Sequence, residues 1–113
     1  MAPDAERLRG SLDLLILKAL SLGPRHGYGV AEWIRQSTRD VVLLEEGTLY
    51  PALHRLESRG LIEAEWGVSD NNRRAKYYQL AKAGRQALKA ETAAWRQHAE
   101  AMARALARPA HET

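Results

Sequence analysis

Few residues of this chain have the types and spacing that chemistry requires. Glu45 and Glu46 are adjacent carboxylates, as acid/base work would need, but they stand where a helix begins, and there acidic side chains favour the positive end of the helix dipole. His26, His54, His98 and His111 fall in separate segments with no carboxylate or cysteine at ligand spacing, so no metal site is expected. The glycines of His26-Gly27-Tyr28-Gly29 lack both a preceding strand and a phosphate-loop lysine followed by Ser or Thr, which argues against nucleotide binding. Neither catalysis nor a cofactor is expected. What remains is recognition chemistry, and it concentrates in residues 44–60 and 70–91.

In residues 44–60, Leu49, Leu53 and Leu56 recur at i, i+4 and i+7 and make one apolar stripe on a helix. At about 100° per residue, Gly47, Pro51, His54, Arg55 and Ser58 then lie opposite, with Thr48 and Tyr50 on the flanks. That outer face is small, polar and nearly uncharged. A solvated face more often carries Glu and Lys pairs, whereas a face that enters a DNA groove needs slim donors and acceptors. Arg55 is equally suited to pairing with a nearby carboxylate. Between Asp70 and Glu91 there is no acid, while Arg73, Arg74, Lys76, Lys82, Arg85 and Lys89 all fall there; such a block is the footprint expected for a polyanion partner.

Around these residues the chain reads as an ordered series of elements. Residues 1–7 form a loose arm, and Ser11 caps a helix over 11–21 with Leu12, Leu15, Ile16, Ala19 and Leu20 inward. Leu14, Leu17 and Leu22 widen its stripe beyond one core face, which leaves area for a second chain. A second helix over 28–38 carries Tyr28, Ala31 and Ile34 on one side, and residues 41–44 are a brief extended stretch leading to the 44–60 helix. Two short helices across a tight connector form a helix-turn-helix. Residues 61–68 alternate Ile62, Ala64, Trp66 and Val68 against Glu63 and Glu65, a half-buried strand that the Ser69 to Asn72 turn joins to RRAKYYQL in a hairpin. A final helix over 82–107 repeats Leu88, Thr92, Trp95, Ala99, Met102 and Leu106 at alternating four and three spacing. This stripe is too long for so small a core and reads as a dimer seam, to which Leu12 also contributes. Two copies of Trp95 across a two-fold axis either pack together or leave a slot for a planar ligand, with Met102 as its adaptable wall.

Composition sets the outer bounds. With 113 residues, 45% of them hydrophobic, the chain suits one domain with a real core. It has no cysteine, which suits a reducing cytoplasm, and neither a signal pattern nor an apolar run free of charge, so a cytoplasmic protein that stays off the membrane is expected. The net charge of +3 matters through its placement in the 70–91 block.

The segments LRGSLDLLILKAL, GPRHGYGV, GTLYPALHRLESRGLI and RRAKYYQLAKAGR, in this order, strongly resemble the PadR family of bacterial transcriptional regulators. The resemblance implies a mainly α fold with a small β-hairpin: a winged helix-turn-helix with a long C-terminal dimerisation helix, acting as a repressor released from its operator by a small effector. It places Thr48 and Tyr50 in the recognition-helix motif and Arg73, Arg74 and Lys76 in the basic wing. Trp95 is similar in position to the tryptophan that lines an apolar pore in the multidrug-binding short members. Two departures stand out: Asn71-Asn72 at the wing tip, where Gly or Pro is frequent, and Ala81 where Thr usually precedes the last helix.

The expected organisation is a DNA-binding unit over residues 1–80, a dimerisation helix over 81–108 within the same compact body, and a disordered tail over 109–113. DNA contacts are assigned to Thr48, Tyr50, His54, Arg55, Arg73, Arg74 and Lys76. Leu12, Leu88, Trp95, Ala99, Met102 and Leu106 are assigned to the dimer interface, and Trp95 and Met102 also to a planar aromatic effector. The expected partners are therefore a pseudo-palindromic double-stranded DNA site, a second copy of the chain and a planar small molecule. The rival is a winged helix whose basic face meets an acidic protein.

Overall fold

The computed structural model describes residues 3–111 as four helices and a three-stranded antiparallel sheet. Residues 1 and 2 of the expected arm and residues 112 and 113 of the expected tail lie outside the described residues. The rest of the arm is helical: α1 spans Pro3–Ser21, starting well before the expected cap at Ser11. Proline at a first helical position has its φ preset and no amide hydrogen to leave unpaired. Gly23, at φ 137°, ends the run.

The core is built around α1, which meets α2, α3, α4 and β3. Contacts on so many sides account for part of its apolarity: of the three leucines assigned to the surplus of the stripe, Leu17 is buried with Ile16, Ala19 and Leu20, whereas Leu14 is half-buried and Leu22 is exposed. The next element, β1 (Arg25–His26), was not expected from the sequence. It is too short for a periodic signal, and only its pairing with β3 makes it a strand. Helix α2 spans Gly27–Ser37 and buries Val30 and Ile34. Tyr28, expected inward, is 68% exposed, because two positions before Val30 is about 200° round the helix. Helix α2 ends with the Asp40 amide donating to the Arg35 carbonyl at 2.9 Å and Arg39 at φ 51°. That geometry usually recruits glycine. The expected extended stretch at residues 41–44 joins no ladder and leaves Val41 and Leu43 exposed.

Helix α3 spans Glu46–Ser58 and turns Leu49, Ala52, Leu53 and Leu56 into the core, each side chain of Leu size worth about 2 kcal/mol when fully buried. It closes on Gly60 at φ 74°, with the Leu61 amide donating to the Leu56 carbonyl and the Gly60 amide to that of Glu57. Strands β2 (Ile62–Val68) and β3 (Arg74–Leu80) pair from Ile62 with Leu80 out to Val68 with Arg74, giving the strand order β1-β3-β2. The expected alternation holds in register but only partly in burial. Ile62 is buried and Ala64 half-buried, whereas Trp66 and Val68 on the same face run past the edge of the core into solvent.

Helix α4 (Lys82–Leu106) starts at Ala81, which as N-cap offers no side-chain hydrogen bond. Its first turn is held instead by packing, with Gly84 buried against the Leu61 carbonyl. Ala81→Thr supplies the missing acceptor and raises stability by about 1 kcal/mol. Thermal unfolding followed by far-UV circular dichroism checks this; an unchanged midpoint refutes it. Beyond Ala99 every described residue of α4 is exposed, including Met102 and Leu106, the latter 77% so. Among the described residues no helix is long and apolar enough to cross a membrane.

Candidate nucleic-acid interface

The candidate site lies between the outer side of α3 and the β2–β3 hairpin. Burying Leu49, Ala52, Leu53 and Leu56 leaves Thr48, Pro51 and His54 in solvent. Among the described residues, neither the Thr48 nor the His54 side chain makes a hydrogen bond or ion pair. Tyr50 sits on the flank toward the hairpin, 44% exposed.

The hairpin presents two chemically different faces, because alternate residues of a strand point opposite ways. The face that begins in the core with Ile62, Leu80 and Tyr78 continues outward as Trp66, Lys76 and Arg74, and Glu63 and Glu65 alternate with Ala64 and Trp66 on the opposite face. Base is thus gathered beside α3 and acid is turned away from it. Arg74 and Trp66 are diagonal neighbours across the ladder, and the Arg74 guanidinium carbon lies 4.5 Å from the indole centroid. The tip is closed by the Ser69 amide donating to the Arg73 carbonyl at 2.8 Å, with Asn72 at φ 62°. Asparagine adopts this left-handed conformation more readily than most residues, so Asn72 serves where glycine is frequent.

Between hairpin and helices runs a cleft of about 760 Å³, lined by His26, Tyr28, Tyr50, Trp66, Arg74 and Lys76 among others. Tyr78 is buried at its base, and that burial pushes its hydroxyl above the ordinary tyrosine range, partly opposed by the Lys76 ammonium. The two exposed arginines are not equivalent. Among the described residues Arg73 has no ion-pair partner, whereas Arg74 is held on the indole.

Two residues assigned to DNA contact are already engaged within the chain. Arg55 Nη2 donates to Asp13 Oδ1 at 2.6 Å, tying α3 to α1, and the Asp13 side chain is largely buried. The expected carboxylate partner exists, but it comes from a distant segment, which local spacing cannot reveal. Lys76 Nζ lies 3.3 Å from Glu57 Oε1 and 5.4 Å from the Tyr78 ring centroid, so it bridges the hairpin to α3. Tyr50, Arg73 and Arg74 line the cleft without such ties to acid, and Thr48 and His54 stand exposed on α3. Sequence reasoning missed Tyr28, Trp66 and His26. Trp66 was read as core because alternation shows a face but not where the core stops. His26 was passed over as a metal candidate; its Nδ1 accepts from the Gly29 amide at 3.0 Å and caps α2.

The residues assigned to the dimer seam divide along α4. Leu88 and Leu12 are half-buried against the chain's own core, and the Thr92 hydroxyl donates to the Leu88 carbonyl at 2.6 Å. Ala99 is half-buried, while Met102 and Leu106 lie beyond the body of the molecule. Trp95 is edge to a groove of about 500 Å³ between α1 and α4, whose other walls include Leu14, Leu15, Val42 and Arg96. Met102, expected beside Trp95, does not line that groove.

A short helix, a tight connector, an outward helix with a slim neutral face and a hairpin with a basic inner side together define a winged helix-turn-helix regulator. The transcriptional regulator PadR-like family matches over residues 16–90, and the chain belongs to it. A transcriptional regulator of Mycobacterium tuberculosis is 38% identical over 81 residues, covering 71% of each chain. A PadR family regulator from Clostridium difficile superposes with a TM-score of 0.74 at 34% identity, covering 84% of this chain and 97% of the other. A PadR-like regulator from Bacillus cereus gives 0.77 at 25% identity, covering 92% and 99%. All three relatives are transcriptional regulators.

Proposed function

We propose that the protein is a homodimeric, sequence-specific DNA-binding repressor working in the cytoplasm, with α3 in the major groove and the hairpin on neighbouring phosphates. The observation that carries this reading is the sidedness of the hairpin: Arg74 and Lys76 face α3 while Glu63 and Glu65 face away, beside a helix on which Thr48 and His54 stand exposed. In this arrangement Thr48, Tyr50 and His54 supply selectivity, and Arg73 and Arg74 supply attraction. The exposed apolar end of α4, with Met102 and Leu106, supports a dimer that sets two recognition helices about 34 Å apart. Selecting duplexes from a random pool and titrating the winner at several salt concentrations tests the reading. A preferred, roughly palindromic site with steep salt dependence is expected; no preference together with a shallow slope overturns it in favour of a module that meets an acidic protein.

The groove beside Trp95 is the proposed entry for a planar aromatic effector that relieves repression. Such compounds are expected to quench tryptophan emission and release the selected duplex, and both effects should disappear in Trp95→Ala, where Trp33 and Trp66 still report. Release that persists in that variant removes the groove from the mechanism.

A further inference from the structure

Gly27 is the buried first residue of α2. It is not there for backbone freedom, since its φ lies outside the left-handed region, and glycine gains nothing in helix propensity. The reason for it is spatial. A Cβ at this position would stand 2.7 Å from Tyr50 Cε1, 2.9 Å from the Tyr50 hydroxyl and 3.0 Å from Cζ. One edge of the phenol ring of α3 therefore rests directly on the backbone of α2, while its other side opens to the cleft that contains Arg74 and Lys76.

The seat itself is fixed from three directions. His26 Nδ1 accepts from the Gly29 amide and locks the first turn of α2. The backbone of His26 pairs with Tyr77 in the β1–β3 ladder, and the two rings meet edge-on at 5.6 Å between centroids. The His26-Gly27 step is thus where α2, α3 and the wing strand β3 converge. A side chain at Gly27 would have to displace the Tyr50 ring, because the ring's far end can swing and the anchored backbone cannot.

We infer that Gly27 is a positioning residue for DNA reading: it sets the depth and direction of the Tyr50 ring, and so governs selectivity between sequences without affecting general attraction to DNA. The inference rests on the reading of α3 as the groove-entering helix. It joins two separated stretches, HGYG and GTLY, into one device.

The experiment compares the full-length wild type with Gly27→Ala, Tyr50→Ala and the double variant. Each is titrated against the selected duplex and a scrambled duplex of the same composition, with salt slopes and thermal unfolding recorded. Gly27→Ala is expected to lower the ratio of selected to scrambled affinity roughly tenfold, the size of one lost base contact. Its affinity for the scrambled duplex should stay within about twofold, with the salt slope unchanged, since no phosphate contact is lost. In the Tyr50→Ala background, adding Gly27→Ala should change nothing, because no ring remains to be displaced. If Gly27→Ala alone fails to fold, a folded double variant that binds as Tyr50→Ala does still supports the seat, and an unfolded double variant overturns it. Equal loss in both backgrounds, or no loss with the wild-type ring, also overturns it. A wild type that shows no preference between the two duplexes defeats the groove-entering role of α3, and the inference with it; a selective wild type with an equally selective Gly27→Ala defeats the inference alone.

Discussion

Gly84→Ala is expected to destabilise the protein by at least about 3 kcal/mol and to lower its thermal midpoint by on the order of 10 °C. Propensity alone predicts the reverse, since alanine is better than glycine within a helix by about 1 kcal/mol. The packing decides the sign. A Cβ on Gly84 would stand 2.0 Å from the Leu61 carbonyl oxygen and 3.0 Å from Leu80 Cδ2. The nearer atom belongs to backbone that cannot yield cheaply: the Leu61 amide donates to Leu56 at the end of α3, and the Leu61 carbonyl accepts from the Ala81 amide at 3.1 Å. Relief therefore requires α4 to tilt off the base of the hairpin. Circular dichroism melts check the value, and a midpoint within about 2 °C of the wild type would falsify the close approach.

Replacing Arg73 and Arg74 together by alanine is expected to weaken binding to selected and scrambled duplexes alike, by roughly tenfold to a hundredfold at low salt. The slope of log affinity against log salt should also become shallower by about 1.8, because each neutralised phosphate contributes about 0.9. The structure separates the two contributions. Arg73 is free of ion pairs among the described residues, and Arg74 is held over Trp66 with its charge toward the cleft side. Loss confined to the selected duplex would instead assign the pair to base reading, and an unchanged slope would remove them from phosphate contact altogether.

Much of this architecture was legible from periodicity. The i, i+4, i+7 leucines of α3, the alternating β2 and the long stripe of α4 each announce an element, because a local repeat reports which face must be covered. Their covering partners are not local, and there the sequence was mute. Nothing in the spacing of Arg55 points to Asp13, nor of Lys76 to Glu57, nor of Gly27 to Tyr50. Alternation continued through Trp66 and Val68 although the core had already ended. The stripe of α4 similarly runs on without a break where its use changes from the chain's own core at Leu88 to solvent at Leu106. Ala81 was the exception: the resemblance marked it as a departure where Thr usually precedes the last helix, and it stands at the N-cap of α4 with no side-chain hydrogen bond.

On α3, Thr48 and His54 are exposed, while Leu49, Leu53 and Leu56 on its other side are buried in the core. Exchanges at such surface positions ordinarily change stability by no more than about 0.5 kcal/mol. If α3 reads DNA as proposed, the sequence it selects can be altered by substitution at Thr48 and His54 at little cost in durability.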